Sequence, residues 1–444
     1  RWAPNQIGAA HHACLKQAKR AVENTSASFL GDTGSAAAWR CLIKKAFYNG
    51  QGDSLKITAI EDLHADGGWR TLSFLKITTD TGLIGWSEFS EGSSSPGLGG
   101  VILKLGQSLL GSDPRQINLI HAKLFAVTRI FSGGLISQAI AALENACLDL
   151  KAKELNVPVH QLFGGALRKT LPIYWSQCGT LRSRFAPVFD AAPLRSLDDI
   201  VALGQEAKAR GFKALKTNIL SFENGACHNY RPGFGIGTGF PELNLDDKLL
   251  NTIVELLAAF EQGAGKGVKL ALDLNFHFKP EGAKRIARAL ERFNLMWLEV
   301  DIQDPRALAE VKQSTTTRIS SLETLLGRQA LRPYLEANAT DVAIIDPQWN
   351  GLLEATKMAT MAESYEINVA SHNYHGQLSS LMGAHFSAAT SNFSIMEYVV
   401  DEAAFTREYM THPIQIVDGE IVLPEGPGWG SDINEEAVRS RPAK

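Results

Sequence analysis

From residue 55 onward the chain alternates between two hydrophobic rhythms. "LKITAIEDL", "RTLSFLKITTD" and "TGLIGWSEF" alternate apolar and polar positions with turns between them, which predicts three β-strands. "LGGVILKLGQSLLG", "QINLIHAKLFAVTRIF" and "SQAIAALENACLDLKAKEL" then place apolar residues at i, i+3 and i+4, which predicts helices. Strands followed by helices make residues 55–171 an α+β domain. After Pro172 short apolar runs alternate with amphipathic pieces. The runs are "PIYWSQCG", "FKALKTN", "VKLALDLN", "LMWLEVD", "RISSLET", "DVAIID", "INVASH" and "FSIMEYV". Eight strand–helix units point to a closed parallel barrel over 172–410. The alternative is a doubly wound open sheet, but no G-x-G-x-x-G follows the first strand. Residues 1–54 differ in texture and read as an extension of undetermined packing, ending in the turn-rich "NGQGD".

Barrel strands must be apolar along their bodies, so the polar residues at their C-terminal ends are informative. The third, fourth and fifth strands end in Asp273, Glu299 and Glu323, spaced about one strand–helix unit apart. Three carboxylates converging at one mouth repel one another, and a divalent cation resolves the repulsion. Oxygen-only ligands select Mg²⁺ or a similar hard ion. The sixth strand ends in Asp346 and the seventh in His372, on neighbouring strands. A carboxylate bonded to one imidazole nitrogen fixes the tautomer and raises the basicity of the other. His372 is therefore a candidate general base facing a metal. Lys216 and Asn218 end the second strand, and Glu397 ends the eighth. Any one of these could instead form a salt bridge or cap a helix; the register of the whole set argues for chemistry.

Composition narrows the function classes. A formal charge of −3 offers no basic surplus for nucleic acid. No apolar run approaches the roughly 18 residues of a membrane span. Five cysteines without a C-x-x-C pair read as free thiols, and a cytoplasmic enzyme is the expectation.

"ALENACLDLKAKELNVPVHQLFGG", "LEV", "SLETL", "VASHNYHG", "IMEY" and the tail "LPEGPGWGSDINEEAV" together resemble the enolase superfamily, in its mandelate racemase and acid-sugar dehydratase branch. The resemblance runs from about Leu55 to the C-terminus. It implies a modified TIM barrel, (β/α)7β, with an N-terminal α+β capping domain and a C-terminal segment, 411–444, that returns to the cap. It also implies one Mg²⁺ per subunit on Asp273, Glu299 and Glu323, a small carboxylate substrate, and a homo-oligomer. Members of this family remove the proton α to a carboxylate and stabilise the resulting enediolate, work for which a Lewis acid and fixed donors are needed.

Two-base racemases of this branch use Lys-x-Lys on the second strand. Here the motif is "KTN", and Asn218 cannot abstract a proton. One base suits β-elimination, so the expected reaction is Mg²⁺-dependent dehydration of an aldonic or aldaric acid to a 2-keto-3-deoxy acid. A racemase, epimerase or cycloisomerase is the alternative, and a non-catalytic binding protein on the same barrel is the third reading. Lys216 would polarise the substrate carboxylate, and Asp346 would orient His372. Glu397, given a raised pKa, would donate a hydrogen bond to the enediolate. The candidate substrate-binding residues are Asn218, Asn275, His64, Trp69 and Arg70. The last three sit in the cap turn "LHADGGWRT"; a second cap stretch, "SEFSEGSSSPGLGG", has the glycines of a lid. Tyr230 and Arg231, in the long insert after the second strand, could reach the mouth. The chain departs from galactonate-type relatives at Asn275, where they carry a histidine, and in "DPQWNG", one residue shorter than the family's Gly-Gly turn.

Overall fold

The computed structural model describes residues 55–443 apart from residue 93 and residues 233–244. The extension 1–54, with Cys14 and Cys41, lies outside the described residues. Three antiparallel strands come first, β1 (Ile57–Asp66), β2 (Thr71–Thr79) and β3 (Ile84–Phe89), in the order β1-β2-β3. Helices α1 (Leu98–Gly106), α2 (Ile117–Thr128) and α3 (Gly134–Glu154) follow. The inner face of α3 from Ala139 to Leu150 is continuously buried, against β3 and α1 among others.

The barrel strands are β4 (Thr170–Ser176), β5 (Ala214–Thr217), β8 (Lys269–Asp273), β9 (Trp297–Glu299), β10 (Ile319–Ser321), β11 (Val342–Ile345), β12 (Asn368–Ser371) and β13 (Phe393–Val399). All neighbours pair in parallel, and β13 pairs with β4 to close the ring. Two short strands, β6 (Leu220–Glu223) and β7 (Ala226–Asn229), form an antiparallel hairpin in the insert after β5. Among the described residues seven helices of nine residues or more join the eight barrel strands: α4 (Leu197–Ala209), α5 (Asp247–Ala264), α6 (Pro280–Ala289), α7 (Pro305–Gln313), α8 (Arg328–Glu336), α9 (Leu352–Glu363) and α10 (Gln377–Ala389). The expected (β/α)7β barrel and α+β cap are both present; α5 is a helix the periodicity did not pick out.

Local chemistry sets the helix starts. Ser196 and Asp199 form a capping box on α4, and Asp246 accepts from Leu249 N at 2.7 Å at the start of α5. Proline occupies the first position of α6 and α7, where no N–H is missed. Helices α4 and α5 touch through glycine: a Cβ on Gly263 would lie 1.9 Å from Val201 O, so only a bare Cα permits the approach.

A compact cluster of Tyr174, Ala214, Ala271, Trp297, Val342, Ile344, Ala370 and Ile395 is drawn from seven barrel strands. The residues alternating with these pack into the larger core with the helices. Side chains two apart on a strand share a face. Ser176, Lys216, Asp273, Glu299, Asp346, His372 and Glu397 each lie two residues beyond a member of the inner cluster. Strand geometry thus sends these polar groups to one mouth.

After the barrel, β14 (Ile416–Val417) and β15 (Glu420–Val422) form a hairpin that pairs with β4. The segment beyond reaches the first sheet. Trp429 Nε1 donates to Trp86 O at 2.7 Å, Lys76 pairs with Glu435 at 2.6 Å, and Ala65 bridges Pro442. Cys147 and Cys178 are buried free thiols, and Cys227 is a half-buried one. Among the described residues no helix is long and apolar enough to cross a membrane.

Candidate active site

Lys216 is buried at the end of β5, with Nζ 2.9 Å from Glu299 Oε2, 3.2 Å from Glu397 Oε1 and 3.9 Å from Asp273 Oδ2. Burial opposes its charge, but Glu299 and Glu397 outweigh that and raise its pKa well above the usual lysine range. Asp273 Oδ1 accepts from the backbone N–H of Asn275 at 2.8 Å, and Asn218 Nδ2 donates to Asp273 O at 3.3 Å. Asn275 has φ +50° and lies just past the strand, so it is its amide N–H that reaches the aspartate.

Glu299 is fully buried; its Oε2 takes Lys216 and Trp297 Nε1, while Oε1 has no hydrogen-bond partner. Glu323 does not end its strand. It follows Leu322, whose φ of +92° turns the chain after β10, and its Oε2 lies 3.4 Å from His372 Nε2. Asp301, two residues past Glu299, accepts from Ser321 Oγ at 2.9 Å. Carboxylate oxygens of Asp273, Glu299 and Asp301 lie within 4.8 Å of one another. Burial, with repulsion from neighbouring carboxylates, raises the pKa of Glu299 and Glu323 well above the usual range and that of Asp301 to about 7.

On the opposite side His372 Nδ1 lies 2.6 Å from Asp346 Oδ2. The short "DPQWNG" loop is accommodated because Asp346 caps a single helical turn, Pro347–Asn350, its Oδ1 accepting from Trp349 N at 2.7 Å. Two imidazoles share the aspartate: His375 Nε2 is 2.8 Å from the same oxygen, and His375 Nδ1 is 2.9 Å from Ser90 Oγ at the end of β3. Burial alone would raise the Asp346 pKa, but the two histidines hold it far below the usual carboxylate range. His372 is 4% exposed, and its pKa is raised: burial opposes the charge, while Glu397 and Asp346 favour it. The Trp349 ring lies 4.9 Å from the His372 ring.

The state of Glu397 differs from the expectation. Burial would raise its pKa, but Lys216 at 3.2 Å, His372 at 3.7 Å, Ser176 Oγ and Asn373 N lower it to about 2. Glu397 accepts from Ser176 Oγ and Asn373 N and faces Lys216 and His372, surroundings that favour the anion over a protonated donor.

The cap residues divide. His64 uses both ring nitrogens inside the first sheet, on Ser73 Oγ at 2.9 Å and Asp62 Oδ2 at 3.2 Å, so it is committed to the cap and does not serve the mouth. Trp69 stacks on Phe185 and lies 5.5 Å from the Tyr374 ring. Arg70 donates to Tyr374 O at 2.9 Å, His375 O at 2.6 Å and Glu402 Oε1 at 3.1 Å; it holds the loop that carries the histidines. The glycine stretch near the cap is stapled: Glu91 accepts from Gly97 N and Gly99 N, which is not the bonding of an open lid. Tyr230 packs against His277 and Phe278 rings. Arg231 is half-buried, and the rest of that insert, 233–244, lies outside the described residues.

Four groups at the site went unread in the sequence. Asp301 had a period-2 signal, since it shares a face with Glu299. Ser90, His375 and Trp349 had none, because their roles depend on contacts between segments distant in sequence.

The donor set fits a hard divalent cation: all oxygen, buried, mutually repelling, and with one carboxylate oxygen of Glu299 left without a partner. Residues 199–437 match the family described as enolase C-terminal domain-like, and residues 67–164 match the mandelate racemase / muconate lactonizing enzyme N-terminal domain. Similar proteins include a D-xylonate dehydratase from Haloferax volcanii, 27% identical over 87% of this chain and 88% of its own. A D-galactonate dehydratase from Ralstonia nicotianae is 27% identical over 88% of this chain and 95% of its own. Among solved structures, a provisionally named L-alanine-DL-glutamate epimerase from Burkholderia xenovorans, bound to magnesium and fumarate, is 43% identical with TM-score 0.85, over 88% of this chain and 96% of that one. A provisionally named dehydratase from Zymomonas mobilis is 28% identical with TM-score 0.77, over 87% and 98%. The barrel, the cap and these matches together place the chain in the mandelate racemase/muconate lactonizing enzyme family of the enolase superfamily.

Proposed function

We propose that the protein is a Mg²⁺-dependent dehydratase of an aldonic or aldaric acid. The observation that carries the reading is the asymmetry of the mouth. His372, with Asp346 on Nδ1, presents Nε2 toward the carboxylate cluster from one side; the other side offers buried cationic Lys216 and the non-basic Asn218. A cation on Asp273, Glu299 and Glu323 would supply Lewis-acid stabilisation of the charge that builds on the substrate carboxylate. Lys216 would share that charge through its ammonium. His372 Nε2 removes the α-proton; the electron pair left behind forms the C=C bond as the β C–O bond breaks. The proton held on Nε2 then passes to the departing hydroxide as water, and the enol product tautomerises to the 2-keto-3-deoxy acid. Glu397, as an anion, stabilises the imidazolium and ammonium and does not donate to substrate.

In this reading 55–171 is the capping domain, 172–410 the catalytic barrel and 411–444 a segment returning to the cap. The test is a screen of purified protein with Mg²⁺ against aldonic and aldaric acids, read by semicarbazide trapping of 2-keto product. A hit abolished by EDTA and by His372→Asn supports the reading and names the substrate. A second reading, epimerisation, is favoured by the name of the 43% identical structure. Exchange of the α-proton in D₂O without elimination would establish it and overturn dehydration.

A further inference from the structure

The chemistry above leaves Asp301 without a task. In the extended segment after β9 it points to the same side as Glu299, and Ser321 Oγ, at the end of neighbouring β10, donates to its Oδ1 at 2.9 Å. Its carboxylate lies within the mutual 4.8 Å reach of the Asp273 and Glu299 oxygens. Among the described residues Glu323 is not within that reach; its Oε2 faces His372 Nε2 at 3.4 Å. A carboxylate cluster alone could be no more than a charged corner. A separate observation argues otherwise: Glu299 is 0% exposed, and its Oε1 has no hydrogen-bond partner, an arrangement that a cation satisfies and protein donors do not. Asp301 and Ser321 also line a cavity of about 400 Å³, together with Phe276, Gln303 and Tyr334. Asp301 is thus the partly exposed member of the cluster, set between that cavity and the buried acids.

We infer that Asp301 is a further protein ligand of the divalent cation, so that the centre is built from four carboxylates, Asp273, Glu299, Asp301 and Glu323. The inference rests on the metal-assisted reading above. Ser321 orients Asp301 by occupying one of its oxygens and leaves the other for the ion. A fourth anion raises affinity for a doubly charged hard ion, and in the metal-free protein it adds repulsion.

Binding, not turnover, tests this. Mn²⁺ titration followed by electron paramagnetic resonance, Mg²⁺ calorimetry, and thermal unfolding with and without Mg²⁺ are run on the full chain and on Asp301→Asn, Asp301→Ser and Asp273→Asn. Both Asp301 variants are expected to bind either ion at least tenfold more weakly. They should also gain less Tm from Mg²⁺, while their metal-free Tm stays level or rises because one repelling charge is gone. Asp273→Asn is expected to lose binding more deeply. If the Asp301 variants bind within twofold of the parent, the inference is overturned whatever their metal-free Tm, with the metal-assisted function left standing on Asp273; a fall in that Tm would then mean that Asp301 only anchors Ser321. A parent chain that binds neither ion overturns both.

Discussion

Helix α10 begins immediately after the histidine loop, and its N-terminus is capped from the other domain. Gly376 offers no side chain, yet its N–H and that of Ser379 are buried donors. Glu88, 2% exposed on β3, accepts both, at 2.6 Å on Oε1 and 2.9 Å on Oε2. An anion at this position also complements the positive end of the helix. Hydrogen bonds to a charged group contribute about 1.5–3 kcal/mol each, and orphaning a buried donor costs about 1–3 kcal/mol. Because the two bonds are not independent, Glu88→Ala is expected to cost about 3–5 kcal/mol, a large fraction of the roughly 5–15 kcal/mol that holds a typical protein folded. Glu88→Gln must turn its amide N–H₂ toward one of two donors, so it is expected to cost somewhat less than alanine and clearly more than nothing.

Two assays read this. The urea midpoint should fall with an unchanged m-value. Amide exchange in the first turn of α10 should quicken by about two to three and a half orders of magnitude, since each factor of ten is about 1.4 kcal/mol. His372 is four residues upstream of Gly376, so turnover should fall as well, by about 100-fold for a displacement near 1 Å. Gly376→Ala approaches the same contact from the other side, because its Cβ would sit 2.8 Å from Glu88 Oε1. A Glu88→Ala loss below about 1 kcal/mol, with α10 exchange unchanged, would falsify the account of a cap supplied across domains.

His372→Asn is expected to lower turnover by about 10²–10⁴ while leaving Mg²⁺ affinity within a few-fold, measured by product trapping beside calorimetry. Asp346→Asn should cost a similar factor through the wrong imidazole tautomer, and the pH profile of its residual activity should move; an unaltered profile would remove Asp346 from the account. His385 is fully buried and neutral, with Nδ1 accepting from His160 N and Nε2 donating to Trp429 O, and burial lowers its pKa to about 3. The unfolded chain takes up this proton near pH 6.5, so stability is complete above that pH and declines as pH falls toward 3, by about 1.4 kcal/mol per pH unit. Denaturation of His385→Gln between pH 6.5 and 4.5 should show a slope flatter by that amount. Gly263→Ala forces a Cβ to 1.9 Å from Val201 O and should cost about 3 kcal/mol in a urea melt, without touching metal affinity.

The barrel was legible because its constraint is periodic. Repeating strand–helix units put Asp273, Glu299, Asp346, His372 and Glu397 one or two units apart along the chain, each two residues past an inner-facing apolar side chain. Alternation is legible only within a strand: β10 ends before Glu323, and Asp301 lies past the end of β9 although it continues the face of Glu299. Alternation could not assign protonation states. Glu397 was expected to need a raised pKa because only a protonated carboxyl could donate to an enediolate that an anion would oppose; the structure gives it Lys216, His372, Ser176 and Asn373, and the sign reverses. Alternation along a strand decides which residues arrive at the mouth, but the charge each carries there is decided by residues on other strands.

The cap contacts follow the same division. His64 and Arg70 stand six residues apart, one on β1 and one in the turn after it, with similar promise in sequence. One closes on Ser73 and Asp62 in its own sheet, and the other spans more than 300 positions to Tyr374 and His375. Glu88 and Ser90, on the last cap strand and just beyond it, reach the same loop at Gly376 and His375. Three cap side chains therefore converge on residues 374–379, the segment directly after His372. A substitution in that cap strand or turn acts on the base through the loop, so cap variants should change turnover even where they touch no substrate.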